Sequence, residues 1–181
     1  MYLWVGAVFS GDLESEIRNI ANNLNKDYGL STVAFSLPQH ISLKISFECD
    51  DYKKVIEFIK SQLKTFSPFE VEINDITKID GSLIWLDINE NVTLRKMHNL
   101  FNDSLLQEFG IPLKSFDGDV FKFHSTLFFD SSINEKHQKL IDDFKQQFSL
   151  PQKCLIKEIK FGIAETLTAG EFTVVDSIIL K

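Results

Sequence analysis

The sequence predicts an α+β fold of two pseudo-symmetric lobes, each a small, mainly antiparallel sheet with outer helices, facing across a central cleft. Three observations carry this. Strand-like and helix-like runs alternate along all 181 residues. The order strand, helix, strand, helix, strand occurs twice. Matched positions keep an offset of 81 to 84 residues, as in Trp4 with Trp85, Gly29 with Gly110 and His40 with His124. A duplicated unit that cannot bury its own sheet face tends to pair with its copy. The chain is therefore expected to form one bilobal domain over 1–181, with a first repeat of about 1–80 and a second of about 81–181.

Each element has its own pattern. Tyr2 to Phe9 is an apolar, strand-like run. Asp12 to Tyr28 spaces Leu13, Ile17, Ile20, Ala21 and Leu24 as a helix does, and Gly29 follows as a C-cap. Beyond Pro38, Ile41 to Phe47 alternates as a strand. Asp51 to Thr65 is helical through Val55, Ile56, Ile59 and Leu63; Pro68 breaks it, and Glu70 to Ile79 alternates again. In the second pass Ser82 to Ile88 is a strand and Leu94 to Phe109 a helix ending at Gly110. His124 to Phe129 is a strand, Asn134 to Phe148 a helix stopped before Pro151, and Leu155 to Ile163 a strand. One extra strand, Phe172 to Leu180, closes the chain.

Composition narrows the function. Hydrophobic residues make up 44% and seventeen Phe supply bulky core material, so a packed interior is expected. No run approaches the ~18 apolar residues of a membrane span. The start Met1-Tyr2-Leu3-Trp4-Val5 lacks a basic leader, and Cys49 and Cys154 read as free thiols, which together imply a reducing cytoplasm. The net charge is -7, and only Arg18 and Arg95 are arginines. A grip on long nucleic acid needs a cationic face to displace counterions. A nucleic-acid ligand is therefore expected to be short or held at its end.

Two motifs carry chemistry. His40-Ile41-Ser42-Leu43 and His124-Ser125-Thr126-Leu127 each head a strand at equivalent places in the two passes. Residues i and i+2 of a strand share a face, so each histidine is paired with a hydroxyl. Two imidazoles across a cleft suit in-line displacement at phosphorus, one taking a proton from the attacking oxygen and one giving a proton to the leaving oxygen. The hydroxyls of Ser42 and Thr126 donate where negative charge grows. Lys44, four residues after His40, is expected on the same face as a cationic contact. Trp4 and Trp85 either stack on a base or pack in the core, with core packing favoured by their apolar surroundings. The plainer alternative is a pair of strand histidines with satisfied hydrogen bonds. His98 and His137 lie in predicted helices without the motif and are expected to be solvated. Asp50-Asp51, Asp117-Gly118-Asp119 and Asp142-Asp143 have no metal-ligand spacing and read as loops or helix starts. Neither a metal nor a cofactor is called for.

With these motifs the sequence resembles the 2H phosphoesterase superfamily, defined by two His-x-Ser/Thr-apolar motifs in duplicated lobes. The likeness spans nearly the whole chain, and His-Ile-Ser-Leu-Lys-Ile is similar to the 2′-5′ RNA ligase-like branch. The resemblance implies a metal-independent phosphodiesterase acting on a 2′,3′-cyclic phosphate or a short 2′-5′-linked nucleotide, with His40 as proton donor and His124 as acceptor. The partner implied is a small nucleotide or an RNA terminus, with no membrane. A binding module without turnover and an RNA end-joining enzyme are the alternatives. Ser42 stands where Thr is commoner, and Ser125 where members usually carry an apolar residue. Phe128-Phe129-Asp130 stands where many RNA-processing members carry a basic residue, which points away from tRNA-sized substrates.

Overall fold

The computed structural model covers residues 1–181 and contains seven strands and four α-helices. The strands are β1 (Tyr2–Phe9), β2 (His40–Glu48), β3 (Phe69–Ile79), β4 (Leu83–Ile88), β5 (His124–Phe129), β6 (Gln152–Ala164) and β7 (Thr173–Ile179). The helices are α1 (Asp12–Asn25), α2 (Tyr52–Leu63), α3 (Val92–Phe109) and α4 (Gln138–Gln147). The predicted order of elements is present throughout, in an α+β architecture.

Local chemistry sets the boundaries. Asp51 caps α2 by accepting from Lys54 N, and Asn91 caps α3 by accepting from Thr93 N and Leu94 N. Gly110 ends α3 in the left-handed conformation at φ 66°, which a residue without Cβ adopts at no steric cost. Helix α1 stops three residues short of its predicted end. The buried Asn25 carboxamide both donates to Leu30 O and accepts from Leu30 N, at 2.8 Å each, and this local bonding turns the chain out of the helix. The helix expected from Asn134 divides into a short 3₁₀ turn, Glu135–His137, followed by α4.

All pairings are antiparallel, and the strand order is β2-β1-β6-β3-β4-β5, with β7 on β6. The third strand of each pass crosses to the other half: β6 lies beside β1, and β3 beside β4. The two halves meet where β3 and β6 pair, from Phe69↔Ile156 to Ile73↔Gln152. The lobes are thus continuous parts of one sheet, and its outermost strands, β2 and β5, are the two that carry the motifs.

Strand β1 explains how one sheet separates core from site. Leu3, Val5, Ala7 and Phe9 point into the main hydrophobic cluster of 41 buried residues. Trp4 and Val8 point the other way, into a small cluster with Leu37, edged by Phe172. In β4, Ile84, Leu86 and Ile88 are buried, whereas Trp85 and Asp87 are only partly so. Successive residues alternate between the two faces, and the side turned from the main core carries the candidate site residues.

Candidate active site

His40 and His124 open β2 and β5, and each ring is fixed by the same local bond. His40 Nδ1 donates to Pro38 O at 2.7 Å, and His124 Nδ1 donates to Lys122 O at 2.9 Å. Neutral imidazole with hydrogen on Nδ1 leaves Nε2 as the free acceptor, ready to take a proton or, once charged, to give one. Ser42 and Thr126 follow two residues on and are partly exposed like their histidines, whereas Ile41, Leu43, Ser125 and Leu127 are buried. Each motif thus offers an imidazole and a hydroxyl on one face.

Aromatic supports complete the pair. Trp4 meets His40 edge to face, with ring centroids 4.4 Å apart and planes at 73°. Trp85 stacks on His124 at 4.5 Å and 29°. Trp4 is buried and lies over a floor of Gly6 and Gly162; a Cβ at Gly6 would fall 2.1 Å from its Cζ2. Its indole nitrogen has no hydrogen-bond partner. Trp4 is therefore a support for His40, not a platform open to a base, in keeping with core packing.

A residue that sequence reasoning missed joins the two motifs. The buried Gln39 side chain donates from Nε2 to Thr126 O at 3.2 Å, and its Oε1 accepts from Ser125 Oγ at 2.8 Å. The unusual Ser125 is thereby accounted for, since its hydroxyl has a buried partner. The only two arginines were also unassigned. Arg18 donates to Phe35 O and Leu37 O, ahead of His40; Arg95 donates to Gly118 O and Phe121 O, ahead of His124. Each is also paired with a glutamate, Glu14 or Glu90. They brace the approach to each motif.

Lys44 does not reach the site. The β1–β2 register slips between Gly6↔Ser42 and Val5↔Lys44, so two residues of β2 face one of β1. This bulge reverses the alternation and sends Lys44 inward, where it is 1% exposed and bonded to Asp117 Oδ2 at 2.8 Å and Asn102 Oδ1 at 2.7 Å. Strand β5 has a matching slip between Trp85↔Thr126 and Ile84↔Phe128, which buries Phe128.

His98, expected to be solvated, is fully buried against Phe121. It donates from Nδ1 to Leu43 O, and its Nε2 accepts from Gly118 N and Asn102 Nδ2. His137 is buried as well, and its ring accepts from Asn134 N. Asp117, read as a loop residue, is the buried counter-ion of Lys44. Helical periodicity cannot register partners that come from a distant loop. Asp130 ties loops together, accepting from Ser31 N and Ser132 N.

The two half-sites differ electrically. Burial pushes the His40 pKa down to about 4, against the bond to Pro38 O and with some help from a charge on His124. His124 is also lowered by burial, but its bond to Lys122 O and the Asp87 carboxylate act to raise it. Asp87 is the cross-strand neighbour of His124 and accepts from Trp85 Nε1 at 2.7 Å and Thr77 Oγ1 at 2.5 Å. A hollow of about 450 Å³ beside this half-site is lined by Asp87, Arg95, Asp119, Phe121 and Lys122. A larger one, about 650 Å³, lies at the other end of β2 among Phe47, Cys49 and Lys54.

The fold agrees with comparison to known proteins. The family model of the 2′-5′ RNA ligase superfamily matches residues 12–165, and the chain belongs to that superfamily, a branch of the 2H phosphoesterases. Among solved structures it resembles TT0787 of Thermus thermophilus, with a TM-score of 0.68 and 11% identity over 99% of this chain and 98% of that one. It also resembles E. coli LigT complexed with 3′-AMP, with a TM-score of 0.65 and 11% identity over 98% and 97%. No curated protein matches the chain. No helix is long and apolar enough to cross a membrane.

Proposed function

We propose that the protein is a metal-independent phosphodiesterase, cytoplasmic, hydrolysing a 2′,3′-cyclic phosphate or a short 2′-5′-linked nucleotide by two-histidine acid/base catalysis. The observation that carries the reading is the matched pair of imidazoles. Both are held through Nδ1 by the carbonyl two residues before, and both head edge strands tied together by Gln39. LigT has been crystallised with 3′-AMP, a small nucleotide of the size this reading calls for.

In the proposed reaction a water oxygen forms a new bond to phosphorus as one ester P–O bond breaks. One Nε2 takes the water proton, and the other gives a proton to the departing ribose oxygen. Ser42 and Thr126 donate to the non-bridging oxygens as their charge grows. The resemblance makes His40 the donor, but the surroundings favour the reverse polarity. Asp87 supports a proton on His124, while His40 stays neutral and able to accept one.

Purified protein in excess EDTA should hydrolyse a member of a cyclic and 2′-5′ dinucleotide panel with a bell-shaped pH profile. His40→Ala and His124→Ala should each lower kcat/KM by about 10²-fold or more. A p-nitrophenyl ester, whose leaving group needs no proton, should spare the donor variant, here His124→Ala. Full activity in both variants would refute the mechanism. Tight nucleotide binding without turnover would leave a binding module of the same fold.

A further inference from the structure

Strands β2 and β5 lie at opposite ends of the strand order and share no backbone pairing. Their approach beneath the cleft runs instead through Gln39, which is 1% exposed, and Ser125, also 1% exposed. The residues sit immediately beside the reactive groups: Gln39 precedes His40, and Ser125 lies between His124 and Thr126. The carboxamide is bonded at both ends in a directional way, with Oε1 accepting from the Ser125 hydroxyl and Nε2 donating to the Thr126 carbonyl. Reversing the amide would set two oxygens against each other at Thr126, so only one orientation satisfies the site. The backbone of the same residue is held from the other side, because Gln39 O accepts from Phe9 N at 3.1 Å.

We propose that Gln39 and Ser125 are positioning residues that fix the gap between the two imidazoles by pinning the motif strands together; this rests on the hydrolytic reading above. An in-line displacement needs acid and base on opposite sides of one phosphorus atom. A shift of about 1 Å in such a pair costs on the order of 10²-fold in rate. An apolar contact at this place fills the same space but leaves the strands free to slide, since dispersion has no direction. The Gln–Ser pair adds two bonds with fixed geometry, and one of them ends on the backbone of Thr126.

The test pairs an apolar exchange with a conservative one. Gln39→Leu/Ser125→Val removes both polar partners together, so no buried side-chain donor or acceptor of the pair is orphaned. Ser125→Thr keeps the hydroxyl. The double variant should lose about tenfold or more in kcat with KM within about twofold, and Ser125→Thr should recover most of the loss. A second readout needs no turnover: the change in the His40 NMR titration midpoint on His124→Gln. That coupling should shrink in the double variant and persist in Ser125→Thr. A double variant with unaltered kcat and unaltered coupling overturns the proposal. A wild-type protein inactive on the whole panel, yet losing the coupling in the double variant, counts against the hydrolytic reading and in favour of the latch. If the double variant unfolds, Gln39→Glu measured by the same coupling takes its place, and unchanged coupling there overturns the proposal equally.

Discussion

The two half-sites share a backbone plan and differ in what lies behind it. On the β2 side, His40 is backed by an indole lying on glycines, with apolar Val8 as its cross-strand neighbour. On the β5 side, His124 stacks on an indole whose N–H is answered by Asp87, itself the cross-strand neighbour of the histidine. Identical fixing of Nδ1 makes the rings geometric counterparts; burial lowers the proton affinity of both, and the Asp87 carboxylate opposes that only at His124. A pair of like groups becomes useful for acid/base work when its environments separate the two titrations. The same divergence appears at the bulges, where the first half buries Lys44 and the second buries Phe128.

The largest effect should come from breaking the charged member of that bulge pair. Asp117→Ala leaves Lys44 buried without its counter-ion, at a cost of about 3–5 kcal/mol. Adding Lys44→Met makes the first bulge resemble the apolar second one and should restore most of the loss. Urea unfolding of the wild type, the single and the double variant measures both steps. An Asp117→Ala protein as stable as the wild type would show that the buried pair contributes nothing. No such cost is expected at Phe128, where no charge is stranded.

Next in size is the pH dependence of stability. The folded pKa of His40 lies below the ordinary histidine value of about 6.5, so between the two the unfolded chain binds the extra proton. The His40 contribution is therefore complete above about pH 6.5 and is lost as pH falls towards 4, on the order of 3 kcal/mol in all. His124 is lowered too and adds a loss of the same sign. Unfolding midpoints measured from pH 7.5 down to 4.5 should fall less steeply in His40→Gln than in the wild type. Equal slopes would mean that His40 titrates normally.

Much of this was legible in the sequence, for definable reasons. Period-2 and period-3.6 patterns located the elements because each buries one face, and Gly110 ended α3 where a left-handed residue was required. The motifs stood out because His40 and His124 hold equivalent places in a repeated order. What stayed hidden was the result of register and of long-range contact. A one-residue bulge, invisible in alternation, turned Lys44 from the cleft into the core. Gln39 gave no signal beyond being a polar residue before a strand, since its partners lie 86 and 87 positions away. The exchange of β3 and β6 between halves was equally silent, because either arrangement buries the same faces.

The smallest expected effect bears most directly on the contrast between the half-sites. Asp87→Asn keeps the size of the side chain and an acceptor for Trp85 Nε1 or Thr77 Oγ1, but removes the charge beside His124. Without that carboxylate the His124 titration midpoint should move down, and His40, whose neighbour across the strand pair is Val8, should stay nearly where it was. With His124 as proton donor, less of it is charged near neutrality. Activity at pH 7 should then fall, and the alkaline limb of the profile should move to lower pH. The p-nitrophenyl ester should lose much less, because its leaving group needs no proton. NMR titration of both rings, read beside the two substrates, separates the outcomes. If the acidic limb moves instead, the proton acceptor is His124 and the polarity is the one implied by the resemblance. If the two rings shift together, Asp87 acts on the whole cleft, and the half-sites are electrically one unit.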